Sequence, residues 1–138
     1  MNAPAVVEMK VGLRHEESQI VSARQLVPNV APEWAGFDGM PPVFATAMMV
    51  GFIEQTCIRA LAPCLAEGQA TVGTHVDVSH VAATPEGMRV TACVELIEVD
   101  HRALLFKVSC HDERGLIGEG LHRRAVIDVA RFLQKLAQ

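Results

Sequence analysis

The sequence has no run rich in lysine and arginine, and its formal net charge is −4. Nucleic-acid grooves and basic membrane patches depend on such runs, so neither nucleic acid nor a membrane is predicted as a partner. The first ten residues, MNAPAVVEMK, lack the basic start and long apolar run of a signal peptide. We therefore expect a cytoplasmic protein, and without repeats or low-complexity tracts residues 1–138 are expected to form one domain.

No pair among the four cysteines has the C-x-x-C spacing of a metal or redox site, and three of the four lie in apolar segments. Buried free thiols are predicted rather than disulfides or zinc ligands. The run HVDVSH also fails as a metal site, because alternation puts His75 and Asp77 on one strand face and His80 on the other. We predict neither a metal nor another cofactor.

What the sequence does have is a long apolar segment, VFATAMMVGFIEQTCIRALAPCL, with Glu54 in its middle. A membrane span is disfavoured, since a charge at its centre costs about 3 kcal/mol or more. Pro41 and Pro42 supply a start signal and Pro63 an end. The segment predicts a helix of about five turns that the rest of the fold surrounds on nearly all sides.

Residues from 70 onward alternate between apolar and polar in four stretches separated by turn signals. These stretches predict four consecutive strands in an antiparallel meander: ATVGTHVDVSHVAA, MRVTACVELIEVD, RALLFKVSCH and LIGEGLHRRAVIDVA. Upstream, KVGLRHEESQIVS predicts an edge strand and RQLVPNVAPEWAGFDGMPP a long connection, while ARFLQKLAQ predicts a short terminal helix. A sheet of about five strands wrapped around one central helix satisfies both patterns, which is the α+β hot-dog fold. An α+β sandwich with the helix on one face is the alternative.

Strand alternation suggests a partner for Glu54. His80 shares its predicted strand face with Val72, Val76 and Val78, and a valine face that covers the helix would direct His80 toward Glu54. A carboxylate and an imidazole in one apolar space can adjust each other for acid-base or nucleophilic chemistry. Taken singly, His80 also fits a core or strand-end histidine, and Glu54 fits a glutamate that reaches solvent.

Three stretches together resemble the fluoroacetyl-CoA thioesterase family of hot-dog acyl-CoA hydrolases. They are PPVFATAMMVGFIEQTCIRALAPCL, GTHVDVSHVAATPEGMRVTACVEL and GEGLHRRAVI, and the similarity extends over roughly residues 10 to 135. The resemblance implies a catalytic threonine, glutamate and histidine at Thr46, Glu54 and His80. It thus selects the two residues that alternation had paired and adds the threonine.

The resemblance further implies substrate-binding residues. Gly73 would offer a backbone N–H to the acyl group, and Arg124 would lie beside it, although Arg124 also fits a strand-end surface charge. The family's fluoroacetyl enzyme covers its pocket with phenylalanines in the connection before the helix. Here Phe37 is present but Met40 replaces the other, and a flexible methionine discriminates shape less well.

The predicted activity is hydrolysis of a short-chain acyl-CoA, with selectivity for a fluorinated acyl group left open. Eight residues of helix rise about 12 Å, so Thr46 and Glu54 cannot touch within one straight helix. Thr46 precedes the regular turns, the site is elongated, or a second subunit supplies one of them; the resemblance implies a homodimer at least. A hot-dog acyl-CoA dehydratase or hydratase and a non-catalytic acyl-CoA-binding protein remain the alternatives.

Overall fold

A computed structural model describes residues 7–138, so the first six residues of the stretch considered for a signal peptide lie outside the described residues. The strands are β1 (Arg14–Ile20), β2 (Gln69–Val78), β3 (Arg89–Asp100), β4 (Ala103–Asp112) and β5 (Gly115–Asp128). The α-helices are α1 (Val27–Val30), α2 (Ala35–Asp38), α3 (Thr46–Leu61) and α4 (Val129–Leu136). The predicted edge strand, central helix, four later strands and terminal helix are all present.

The five strands form one antiparallel sheet in the order β1-β3-β4-β5-β2. The predicted four-strand meander is wrong in one respect, because β2 pairs with β5 at the far edge and not with β3. The segment between β2 and β3 is a crossover that passes the start of α3, where the Phe44 N–H donates to the Thr84 carbonyl at 2.8 Å. This crossover carries His80 past the first turn of the helix.

Helix α3 packs one face on the sheet. Its start at Thr46 follows the two prolines after a short extended stretch, and a 3₁₀ turn containing Pro63 ends it. The buried apolar residues of α3 are Met49, Phe52, Ile53, Cys57, Ala60 and Leu61. Each of the large side chains in this set contributes about 1.5–3 kcal/mol of burial free energy. None of the helices in the described part of the chain is long and apolar enough to cross a membrane.

None of the described residues covers the opposite face of α3. Ala47, Gly51 and Gln55 are exposed at helical spacing, and Ile58 continues the row with 41% of its surface exposed. The prediction that the fold surrounds the helix therefore holds for one face only within a single chain. We call these four residues the open stripe of α3.

All four cysteines are free thiols, as predicted. Cys57, Cys64 and Cys110 are buried and Cys93 is half-buried. Burial raises the pKa of Cys57 and of Cys110 to about 12. Thiols with so high a pKa are almost entirely protonated near neutral pH and are poor nucleophiles.

Candidate active site

Glu54 lies two turns into α3 and forms an ion pair with Arg124 of β5. The Nη1 group of Arg124 donates to Oε2 of Glu54 at 3.0 Å. The arginine is 3% exposed, whereas the Glu54 side chain is 36% exposed. The apolar helix tolerates this carboxylate because a buried guanidinium faces it across the helix–sheet interface.

Two further hydrogen bonds to Thr71 of β2 fix Arg124. Its Nε donates to Thr71 Oγ1 at 2.9 Å, and its Nη2 donates to the Thr71 carbonyl at 2.9 Å. All three nitrogens of the guanidinium therefore have partners, as a buried cation requires. The alternative of Arg124 as a strand-end surface charge is excluded by this burial.

His122, which sequence reasoning did not connect to the site, completes this cluster. Its Nδ1 lies 2.8 Å from the His75 carbonyl, and its Nε2 lies 3.1 Å from Arg124 Nη1 and 3.9 Å from Glu54 Oε2. A carbonyl oxygen only accepts, so Nδ1 carries the proton and Nε2 accepts from Arg124. Burial first, and Arg124 as well, hold the pKa of His122 below its usual value.

The backbone of Gly73 closes the cluster on the β2 side. A Cβ at this position would lie 2.7 Å from Glu54 Oε2, 3.2 Å from a ring carbon of His122 and 3.3 Å from Arg124 Nη1. Only glycine lets the strand approach the carboxylate this closely. We call Glu54, Gly73, His122 and Arg124 the carboxylate cluster.

A second polar pair lies at the start of α3. Oγ1 of Thr46, the first residue of the helix, is 2.7 Å from Nδ1 of His80. His80 follows the end of β2, and its neighbours Ser79 and Val81 donate backbone hydrogen bonds to Glu119 and Ile117 of β5. Burial keeps the pKa of His80 below its usual value. We call Thr46 and His80 the hydroxyl–imidazole pair.

The other ring nitrogen of His80 has no hydrogen-bond partner. Its Nε2 is buried and forms no hydrogen bond of regular geometry within the part of the chain that the structure describes, although the nearby Ala82 backbone raises the pKa of the ring against the effect of burial. Buried polar atoms are rarely left in this state, and each such atom requires an explanation. Nδ1 of His80 can take the proton of the Thr46 hydroxyl, but the hydrogen-bond acceptor that usually orients such a ring at Nε2 is absent from the described residues.

The predicted contact between Glu54 and His80 is therefore not formed within one chain. Each has a different partner: Arg124 and His122 for Glu54, and Thr46 for His80. Alternation failed because β2 has a bulge between Gly73 and His75 and ends at Val78. Because Thr46 belongs to the regular helix, it does not precede the turns either.

Phe37 and Met40, the predicted lid residues, lie in and after α2. The Phe37 ring packs edge-on against Trp34 with centroids 5.2 Å apart, and Met40 is 49% exposed. Phe44, two residues before the helix start, is 1% exposed and belongs to the core. Phe37 and Met40 thus form a surface segment on the chain leading into α3.

A depression of about 800 Å³ lies elsewhere, on the outer side of the sheet. Its lining includes Arg14, Cys93 and Lys107. It shares no residue with the carboxylate cluster or with the hydroxyl–imidazole pair. The chemistry of the candidate site does not extend into it.

Residues 28–130 match the family described as FlK, fluoroacetyl-CoA-specific thioesterase. A fluoroacetyl-CoA thioesterase from Streptantibioticus cattleyicolor is 43% identical over 130 residues, which is 94% of each chain. A solved structure of the fluoroacetyl-CoA thioesterase FlK superposes with a TM-score of 0.93 at 42% identity, covering 96% of this chain and 98% of that one.

More distant structures share the fold alone. A thioesterase superfamily member from Thermus thermophilus superposes with a TM-score of 0.81 at 23% identity, over 98% of this chain and 93% of its own. A hot-dog-like protein from Thermanaerovibrio acidaminovorans gives a TM-score of 0.77 at 22% identity, over 91% and 89% of the two chains. The hot-dog architecture predicted from the order of elements is confirmed.

Proposed function

Because the chain belongs to the fluoroacetyl-CoA-specific thioesterase family, we propose that it hydrolyses a short-chain acyl-CoA to the free acid and CoA. The observation that carries the proposal is the 2.7 Å contact between Thr46 Oγ1 and His80 Nδ1. A hydroxyl hydrogen-bonded to an imidazole is the arrangement that activates an alcohol toward an acyl carbonyl. The low pKa of His80 keeps its ring neutral, as a base requires.

In the proposed mechanism Thr46 attacks the thioester carbonyl while Nδ1 of His80 takes the hydroxyl proton. Collapse of the tetrahedral intermediate breaks the C–S bond, and His80 returns the proton to the departing CoA sulfur. A water molecule, deprotonated by His80, then hydrolyses the acyl-threonine ester. Glu54 as nucleophile or as base for water is the competing route, and its charge is already engaged by Arg124.

The backbone of Gly73 and the guanidinium of Arg124 are proposed to receive the acyl group. An N–H from Gly73 aimed at the developing oxyanion contributes about 3 kcal/mol in comparable sites. The guanidinium lies close to this backbone, since a Cβ built on Gly73 would be 3.3 Å from Nη1 of Arg124. Fragmentation mass spectrometry of acid-quenched enzyme tests the mechanism, since an acyl adduct on Thr46 supports it and one on Glu54 overturns it.

We further propose that the working site joins the two parts across a homodimer. Among the described residues His80 Nε2 forms no regular hydrogen bond and Glu54 Oε1 receives none, so the imidazole of one chain could donate to the carboxylate of the other. Two copies of α3 that cross antiparallel near Gly51 would bring Thr46 of one beside Glu54 of the other. The open stripe is small and apolar there, and none of residues 7–138 pairs with the outer edge of β2.

A subunit-mixing experiment tests this arrangement. Thr46→Ala and Glu54→Gln proteins are each expected to be inactive. Denatured together in equal amounts and refolded, half of the dimers carry one variant of each kind, and one of their two sites is intact. About a quarter of the parental activity should return. If each chain holds a complete site, mixing restores nothing.

The acyl specificity is a further part of the proposal. Phe37 and Met40 would close over a short acyl group, and a methionine in this position should accept acetyl-CoA and propionyl-CoA as well as fluoroacetyl-CoA. Thiol release from a panel of acyl-CoAs measures this. A parent enzyme that releases CoA from none of them overturns the hydrolase proposal and favours the dehydratase or binding alternatives.

The cytoplasm is retained as the proposed location. The four free thiols are what a reducing compartment preserves, and the proposed substrate is a CoA thioester. The readout is the distribution of a tagged copy between cytosolic and membrane or secreted fractions.

A further inference from the structure

We propose that His122 is a positioning residue, a neutral hydrogen-bond acceptor that holds Arg124, and through it the Glu54 carboxylate, in place. The inference rests on the proposed hydrolase function of this site. Neither the sequence patterns nor the resemblance selected His122. The structure selects it because it is 1% exposed and lies between the arginine and β2.

The proton inventory of Arg124 shows why an acceptor is needed. Its Nη1 carries two hydrogens, and the two acceptors in reach are Glu54 Oε2 at 3.0 Å and His122 Nε2 at 3.1 Å. The other two nitrogens bond to Thr71. Without His122 one buried N–H of Arg124 would lose its partner, and the guanidinium would keep only its hydrogen bonds to Glu54 and Thr71.

His122 is neutral, and this distinguishes it from a group that carries and transfers a proton. The groups that face it are Arg124 on its own strand, Glu54 from α3 and His75 from β2. A proton on Nε2 would direct an N–H at the Arg124 N–H and add a second positive charge beside the guanidinium. The ring therefore serves as an acceptor through its lone pair, and proton transfer is left to His80.

His122 also connects the carboxylate cluster to the bulge in β2. Its Nδ1–H donates to the carbonyl of His75, directly after the register shift that begins at Gly73. One ring thus spans from the guanidinium to the strand that carries the Gly73 backbone. A change at His122 can disturb the arginine or the strand, and the two effects are separable.

Three substitutions separate them. In His122→Gln the amide oxygen can reach the position of Nε2 and accept from Arg124, but nothing donates to His75. In His122→Asn the amide can donate to His75 but does not reach Arg124. His122→Phe keeps the volume and removes both bonds. His111→Gln, on the exposed outer side of β4, is the matched control.

We expect kcat to stay within about threefold of the parent in His122→Gln and to fall about 10- to 100-fold in His122→Asn and His122→Phe, with KM changing less. Urea unfolding identifies any variant that fails to fold. The proposal is overturned if Asn preserves kcat and Gln does not, or if kcat falls only in proportion to the folded fraction.

A readout independent of activity keeps this inference apart from the proposed function. Nitrogen NMR shifts of the His122 ring, assigned by their loss in His122→Gln, should show the neutral tautomer protonated on Nδ1 at neutral pH. If the parent releases no CoA but the tautomer is found, the hydrolase proposal fails and the acceptor role stands. A ring protonated on Nε2 at neutral pH overturns the inference whatever the activity.

Discussion

The carboxylate cluster and the hydroxyl–imidazole pair lie along the same helix and differ in how fully their hydrogen bonds are satisfied. Every nitrogen of Arg124 and of His122 has a partner inside the chain. Among residues 7–138, His80 forms a regular hydrogen bond at only one ring nitrogen. The first arrangement contributes to the stability of the fold, whereas the second is chemically incomplete in a single chain.

The largest effect expected from this comparison is on the incomplete part. His80→Ala removes the base from Thr46 and should lower kcat by about 10²- to 10⁴-fold. Its free energy of unfolding should change by less than about 1 kcal/mol, because the side chain makes one hydrogen bond and leaves a second nitrogen unsatisfied. CoA release and urea unfolding measure the two quantities, with His111→Ala as the control. A variant that loses stability and activity together would contradict the distinction.

The next largest effect is on stability and compares two glycines, Gly118 near the hydroxyl–imidazole pair and Gly73 in the carboxylate cluster. A Cβ on Gly118 would clash with the backbone carbonyl oxygen of Ser79, next to His80, whereas a Cβ on Gly73 would meet the end of the Glu54 side chain. Backbone yields less than a side chain, so we expect Gly118→Ala to cost about 3 kcal/mol and Gly73→Ala about 1 kcal/mol. Gly36→Ala is the control, because a Cβ there would meet none of the described residues beyond its own helix backbone and chain neighbours. Equal costs for all three in thermal unfolding would refute this ranking.

Removing the negative charge of the carboxylate cluster should cost less stability than Gly118→Ala. Glu54→Gln leaves the buried Arg124 without a counter-charge, and about 2 kcal/mol of stability should be lost. This lies below the usual cost of breaking a fully buried pair because the Glu54 side chain is partly exposed. Glu98→Gln, which breaks an exposed pair with Arg123, should cost about 0–1 kcal/mol. Similar losses in urea unfolding would mean that burial of the arginine adds nothing.

The smallest effect is on pH dependence. Burial lowers the pKa of His80 and of His122 below 6.5 in the folded protein, so the unfolded chain binds more protons just below that pH. The stability that both rings contribute is fully present above about pH 6.5 and is lost as the pH falls toward their folded values. Urea unfolding at several pH values should show that the free energy of unfolding falls less steeply with decreasing pH in His122→Gln than in the parent protein. An unchanged slope would exclude His122 as a source.

Much of the fold could be predicted from the hydrophobic patterns of the sequence. The apolar segment and its prolines predicted α3, and alternation predicted all five strands, because each element buries a face at its own period. The position of β2 at the far edge did not follow. Sequence order suggests neighbours, but the crossover that passes Phe44 and Thr84 is a tertiary contact without a local signature.

The candidate site was predictable in its members more than in its contacts. The resemblance selected Glu54, Gly73 and Arg124, and the structure brings these three together. His122 was missed although a signal existed: alternation in HRRAV puts it on the same face of β5 as Arg124 and the buried Val126. The bulge in β2 also had an unused signal, since a glycine inside a strand pattern, here Gly73, often marks a bulge.

The helical rise between Thr46 and Glu54 has a consequence for the kinetics of the protein in solution. If each site draws on two chains, specific activity is itself a function of enzyme concentration. Below the dissociation constant of the dimer, the rate should scale with the square of the total protein concentration, and assays at high dilution would understate turnover. Crowding or a high expression level would then act as an activator without any ligand.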